Sequence, residues 1–209
     1  MSTPPHPGQP AGSGDPRAQT QPGLPGQRLA ARSDEPRIAA LMRSSVLELF
    51  PTFYDDRQTR SAATYIAHVD RALIDDGTYY VHEVDGQIVA CGGWSKRDRL
   101  YTGSDPGGED ARLLDPDTEP ARVRAMFVRG DWTRRGLGRA ILLSCERAAY
   151  QAGFRTLALM ATLPGVPLYQ SFGFVAIAPA TVTMPDGVTI DALTMQRAVL
   201  GSTGTLIGT

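Results

Sequence analysis

Apolar residues recur along this chain in two periods, and the period switches at Gly, Pro and Asp-Gly steps. Arg28 to Arg32 reads as a short first strand. Ser33 is placed as a helix N-cap, with Asp34 and Glu35 in the first turn and Pro36 tolerated there. Ile38, Leu41, Met42, Val46 and Leu49 then repeat at helical spacing and predict a helix from about Asp34 to Leu49, stopped at Phe50-Pro51. Tyr65, Ile66, Val69, Leu73 and Ile74 predict a second helix from about Arg57 to Asp75, closed by Asp76-Gly77. Thr78 to Val84 and Gln87 to Ser95 are β-rich runs joined by Asp85-Gly86, a strong short-range hairpin signal.

Lys96 to Ala121 is polar and rich in Gly, Pro, Asp and Glu, and reads as a long loop. Arg122 to Val128 is the next strand. After Gly130-Asp131 a helix opens, with Leu137, Ile141, Cys145, Ala148 and Ala152 as its expected apolar face and Gly153 at its C-terminus. Arg155 to Ala161 reads as a buried strand and Pro164 to Phe172 as a short helix ended at Gly173. Phe174 to Met184 and Val188 to Val199 form a last hairpin across Asp186-Gly187. A strand-helix-strand unit over 122–161 implies a parallel pair with a right-handed crossover. The hairpins imply antiparallel neighbours, so the sheet is expected to be mixed, with helices on its faces.

Composition narrows the class. The chain has 209 residues, 42% of them hydrophobic, which suits one domain with a sizeable core. Positions 1–27 are mostly Pro, Gly, Ser and Gln and are expected to form a disordered tail; the residues from about Gly201 are expected to fray. Residues 28–199 would make the single folded domain. A formal net charge of -1 argues against a general nucleic-acid binder, and no apolar run is long enough for a membrane span. Two cysteines, Cys91 and Cys145, sit in apolar runs and read as buried thiols of a reducing, cytoplasmic compartment. With three histidines, no His-rich metal site is expected.

The chemistry concentrates in Met126-Phe127-Val128-Arg129-Gly130-Asp131-Trp132-Thr133-Arg134-Arg135-Gly136-Leu137-Gly138-Arg139. The first turn of a helix carries unpaired N–H groups and the positive end of the helix dipole. Gly136 and Gly138 leave the backbone open to close approach, and Arg134, Arg135 and Arg139 add full charge, a combination suited to a pyrophosphate. A solvent-facing arginine cluster beside a Gly-rich turn would read the same way. A P-loop is excluded, since no Gly-Lys pair occurs. The dinucleotide fingerprint needs a small residue where this chain has Ile141.

Two linked motifs resemble the GNAT superfamily of N-acetyltransferases, over roughly Arg28 to Val199. The superfamily's cofactor loop, Gln/Arg-x-x-Gly-x-Gly/Ala, maps to Thr133-Arg134-Arg135-Gly136-Leu137-Gly138, with Thr133 departing at the first position. Leu168-Tyr169-Gln170-Ser171-Phe172-Gly173-Phe174 is similar to the family's short fourth helix with its Tyr and following Gly-Phe. The resemblance implies a three-layer α/β (α+β) fold, with a mixed, mostly antiparallel central sheet, a splayed parallel strand pair and helices on both faces. It also implies acetyl-CoA as co-substrate and no metal. Backbone groups near Met126, Phe127 and Val128 would hold the pantetheine arm, and N–H groups from Arg134 through Arg135, Gly136, Leu137 and Gly138 to Arg139 the pyrophosphate.

The same resemblance implies direct attack of a primary amine on the thioester, a strand N–H near Phe127 or Val128 polarising the carbonyl, and Tyr169 as the acid that protonates the leaving thiolate. Tyr169 also reads as a packed aromatic beside Val166 and Phe172. No base is assigned: the fourth strand has no acid, and His82, Glu83, Asp117 and Glu119 stay open. Acids of the 96–121 loop would suit a cationic amine, and Trp94, Tyr79 and Tyr80 can line an acceptor pocket or the core. A small-molecule or peptide amine is the expected partner. A homodimer through a sheet edge is compatible with the family. Two other readings remain: a non-catalytic acyl-CoA sensor or partner-binding module, and a nucleic-acid binder using Arg122, Arg124, Arg129, Arg134, Arg135 and Arg139.

Overall fold

In the computed structural model, which describes residues 26–98 and 112–199, the apolar periods resolve into seven strands and five α-helices among those residues. In order they are β1 (Gly26–Leu29), α1 (Glu35–Leu49), α2 (Asp56–Tyr65), α3 (Arg71–Asp75), β2 (Tyr79–Val84), β3 (Gln87–Ser95), β4 (Ala121–Val128), α4 (Leu137–Gln151), β5 (Thr156–Thr162), α5 (Val166–Phe172), β6 (Val175–Thr183) and β7 (Thr189–Ala198). The strands form one sheet in the order β1-β2-β3-β4-β5-β7-β6. Every neighbouring pair is antiparallel except β4 and β5. This is the expected three-layer arrangement with one parallel pair.

Alternation along the strands decides which helices cover which face. On β2, Tyr79 and Val81 pack with Ile38, Leu41 and Met42 of α1 and Leu73 and Ile74 of α3. Tyr80 and Val84 meet the core under α4. On β5, Leu157, Leu159 and Ala161 join Leu137, Ile141 and Leu142 of α4, while Met160 points into the cluster of Phe50, Tyr54 and Val182. Burying one such Leu or Ile contributes about 1.5–3 kcal/mol, so truncating Leu142 to Ala would remove a substantial part of the α4 anchor.

Several expectations shift. β1 ends at Leu29, and Arg32–Asp34 form a 3-10 turn, so Asp34, not Ser33, occupies the N-cap of α1. Asp34 is buried, accepting from Ala31 N–H (2.9 Å), Arg28 (2.6 Å) and Arg37. Those three bonds explain the position: a short carboxylate at the turn gathers two guanidiniums and a backbone donor. The helix expected over 57–75 is two helices. It begins with a capping box between Asp55 and Gln58, and it breaks at residues 66–70 although neither Gly nor Pro lies there. Asp70, extended at φ -84° and ψ 95°, is held instead by a buried ion pair with Arg124 of β4. On α4 the buried face is Leu137, Ile141, Leu142, Cys145 and Ala149; Ala148 is half-buried and Ala152 exposed. The face is rotated because Leu142 packs inward too, widening the stripe beyond the strict repeat.

The ends of the long loop pair with each other, through an isolated bridge Arg97↔Leu113 and Asp98 N–H to Arg112 O at 2.9 Å. Asp105, Glu109 and Asp110 lie outside the described residues, as do positions 1–25 and 200–209 of the two expected tails. Both cysteines are buried and free, and burial pushes the Cys91 thiol up to about 12. Among the described residues no helix is long and apolar enough to cross a membrane, and no group of three or more metal-ligating side chains occurs.

Candidate active site

The site is made where β4 and β5 part. Their ladder has only the pairs Ala121↔Leu157 and Arg122↔Ala158. From Val123 onward β4 bonds to β3 alone. A bulge helps turn it away: the β3 register shifts between Cys91 and Gly93, and opposite it Ala125 takes φ +52°. A non-glycine residue there is strained by about 1–3 kcal/mol, so surrounding contacts must hold it. Tyr79 does so from below, its fully buried hydroxyl donating to Ala125 O at 2.9 Å. Gly92 is glycine for a related reason, since a Cβ would sit 2.1 Å from Met126 Sδ.

The gap opens into a cavity of about 640 Å³. Met126, Phe127 and Val128 border it, with Trp132, Thr133, Arg134, Gly136, Leu137, Gly138 and Arg139 at one end and Pro164, Gly165, Pro167, Leu168 and Tyr169 alongside. All the residues expected around a cofactor therefore meet at one cavity except Arg135. Its guanidinium lies over the Trp132 ring at 4.4 Å instead.

The loop leading into α4 is built without side-chain caps. Gly130 N–H donates to Glu48 of α1 at 2.8 Å, and a Cβ on Gly130 would meet that carboxylate at 2.2 Å. Thr133 folds back, its hydroxyl donating to Gly130 O at 2.8 Å. Arg134 (φ +62°) and Gly136 (φ +84°) are both left-handed. Alternating backbone of this kind turns successive N–H groups to one side, as anion-binding nests do. Gly136 is the N-cap of α4 and no side chain caps the helix, leaving the first-turn amides to a ligand or solvent. Gly138 proves different from the expectation. It is buried, and a Cβ there would come within 2.8 Å of Leu168 Cδ2, so its smallness serves the packing of α5.

Tyr169 borders the cavity and is 8% exposed. Its ring stands edge-on to Phe174 (5.8 Å) and covers Gly165, where a Cβ would be 2.9 Å from Cε2. Burial raises its phenol well above the ordinary tyrosine value. The phenol therefore stays protonated at neutral pH, as a proton donor must be, while burial makes it a weaker acid than a free tyrosine.

Other candidates lie elsewhere. None of His82, Glu83, Asp117 and Glu119 borders the cavity. Glu83 is paired with Arg28 and Arg37, and Glu119 with Arg112, which lowers the Glu119 carboxyl to about 2. Tyr79 and Trp94 are core, and Tyr80 is packed against it. Of the six arginines of the basic-patch reading, Arg122 pairs with Asp98, Arg124 with Asp70 and Arg129 with Asp131. Sequence reasoning missed the opposite wall: Ser45, Leu49, Phe50, Ile66, Met160 and Val182. They come from α1 and the turn after it, the end of α2, β5 and β6, and only the tertiary fold brings them together. The signal for Arg124 was present as a charge in an apolar strand.

Comparison with known proteins agrees with this geometry. A family model described as the acetyltransferase (GNAT) family matches residues 43–174. Among solved structures, a GCN5-related N-acetyltransferase from Rhodopseudomonas palustris superposes with TM-score 0.64 at 20% identity, covering 84% of this chain and 96% of its own. The PaiA N-acetyltransferase of Thermoplasma acidophilum, in complex with coenzyme A, gives TM-score 0.57 at 11% identity over 83% and 98%. A putative acetyltransferase, YncA of Salmonella typhimurium, with its cofactor acetyl-CoA, gives 0.54 at 18% over 88% and 98%. At these identities the likeness is one of fold. No curated protein sequence matches the chain.

Proposed function

Because the chain belongs to the acetyltransferase (GNAT) family, we propose that its cavity carries out transfer of an acetyl group from acetyl-CoA to the nitrogen of a primary amine. One observation carries the reading: uncapped first-turn amides of α4 open onto the same cavity as the unpaired edge of β4. The residues fit the cofactor. Arg134 and Arg139 flank the amides that would take the diphosphate, and the free backbone edge from Met126 to Val128 would take the amide-bearing arm as an added strand does. The similar structures solved with coenzyme A and with acetyl-CoA support the same choice.

When bound, acetyl-CoA supplies an activated acyl carbon as a thioester. The protein's contribution is to orient and to move one proton. A β4 N–H near Phe127 or Val128 polarises the carbonyl. The amine nitrogen would take the acyl group and give up a proton to water, Tyr169 would hand its hydroxyl proton to the departing sulfur, and water would then return a proton to Tyr169. No carboxylate borders the cavity among the described residues, so proton removal from the amine falls to solvent. That feature also favours the second reading, a module that binds acyl-CoA without turnover.

A screen of amines with acetyl-CoA, following free thiol release, separates the two. Amine-dependent release is the expected result; coenzyme A binding with no release above hydrolysis would leave the sensor reading.

A further inference from the structure

One charge in the cavity wall takes no part in acyl transfer as described. Arg124 of β4 borders the cavity, and its side chain is 2% exposed, paired with that of Asp70, itself 3% exposed. Leu49, Phe50, Ile66, Phe127, Met160 and Val182 line the same cavity, with the hydroxyls of Ser45 and Thr162 among them. The charged residues that line the whole cavity are Arg124, Arg134 and Arg139, with no Asp, Glu, Lys or His among the described residues that border it. Arg134 and Arg139 sit at the mouth of α4. Arg124 lies on β4 four residues before Val128, roughly 10 Å along the strand, too deep to serve a diphosphate at that mouth.

A buried ion pair adds little stability that an apolar pair could not supply. A guanidinium in an apolar wall also selects among ligands. The guanidinium, already balanced by Asp70, offers an added cation no counter-charge, and desolvation penalises that cation. It attracts a carboxylate through short charge-assisted bonds in a planar fork. We propose that the acceptor is a small apolar amine bearing a carboxylate, an apolar amino acid in chemical class, whose carboxylate binds Arg124. The inference rests on the acyl-transfer reading and specifies its substrate. It also accounts for a cavity bordered by no carboxylate or histidine among the described residues. In solution the ammonium of such a zwitterion is held protonated partly by its own carboxylate. Pairing that carboxylate with Arg124, inside apolar walls, removes this support and favours the neutral amine that attacks.

The test uses the full chain. Coenzyme A affinity is measured first by calorimetry; failure to bind would overturn the acyl-transfer reading and this inference with it. Thiol release is then followed with leucine and phenylalanine, with their amides, and with spermidine. The acids are expected to exceed their amides in kcat/KM by about tenfold or more, the worth of one charged hydrogen-bond pair, with spermidine lowest. In the double variant Asp70→Asn, Arg124→Gln, which removes both charges together, the advantage of acid over amide should fall below about twofold, with coenzyme A affinity unchanged. If that variant does not fold, the parent's ranking still decides. Preference for the amides or spermidine, no release with any acid while coenzyme A binds, or an acid preference that survives the double substitution would each overturn the proposal.

Discussion

The two edges of β5 contrast sharply. Along one edge all seven residues from Thr156 to Thr162 pair with β7. Along the other, only Leu157 and Ala158 pair, and β4 then leaves. Both edges belong to the same apolar run, so β-propensity cannot distinguish them. The difference is made by the neighbours. β7 runs antiparallel and continues a hairpin with β6, which keeps it straight against β5. β4 is bent by a bulge at Ala125 that Tyr79 holds from the α1 face. An open ladder exposes backbone groups that would be costly inside a core, and here they face a cavity instead. On the proposed reading the open edge receives the ligand, and the closed edge is scaffold.

Substitutions that line the cavity or aim β4 into it should therefore alter binding and turnover, and those far from it mainly stability. The largest effect is expected for Gly136→Val. Forcing a β-branched residue to φ +84° and filling the approach to the α4 amides should weaken coenzyme A binding by more than roughly 10²-fold in calorimetry. Unchanged affinity would break the assignment of that edge. Tyr169→Phe should reduce kcat by roughly 10²-fold with coenzyme A affinity intact. In the parent, no loss of activity from ionisation of Tyr169 should appear below about pH 10, because burial raises its pKa above that of a free tyrosine. A kcat within twofold of the parent would leave Tyr169 a packing residue.

Asp34→Asn probes the scaffold far from β5. Arg28 first, then Ala31 N–H and Arg37, hold the Asp34 carboxyl well below the usual range. A lowered folded-state pKa stabilises the fold above the unfolded value, and that stabilisation is lost as pH falls through the folded value. The parent should therefore lose stability progressively below about pH 4. The variant should lose about 2 kcal/mol at neutral pH, show a flatter acid limb in denaturant titrations, and bind coenzyme A normally. Tyr79→Phe should cost about 1 kcal/mol through the lost bond to Ala125 O, and should lower kcat more than it changes KM if the bulge aims the β4 amides. Gly138→Ala is the mildest. Leu168 Cδ2 is the end of a flexible side chain and can turn aside, so stability should change by less than about 1 kcal/mol in thermal melts.

Much of this was readable in the order of residues. The hairpin over Asp85-Gly86 falls where the dipeptide placed it, with β2 ending at Val84 and β3 starting at Gln87. The glycine loop before α4 and the Tyr169 helix meet at one cavity, as their motifs implied. Misplacements came where distant partners overrule local preference. The expected single helix breaks at residues 66–70 because Asp70 is drawn to Arg124. Gly138 borders the cavity with the rest of its loop, and it is also the seat of Leu168, a packing role that the motif did not show.

By itself, the sequence determined the elements, their order, and the chemistry of the loop at the start of α4, because period, turn residues and missing side chains act over a few neighbouring positions. Only the tertiary structure decided that β4 parts from β5, that Tyr79 holds the bend, and that apolar residues far apart in the chain line the same cavity as Arg124. Those contacts join residues far apart in the chain, and their energies depend on shape and desolvation that no local pattern encodes.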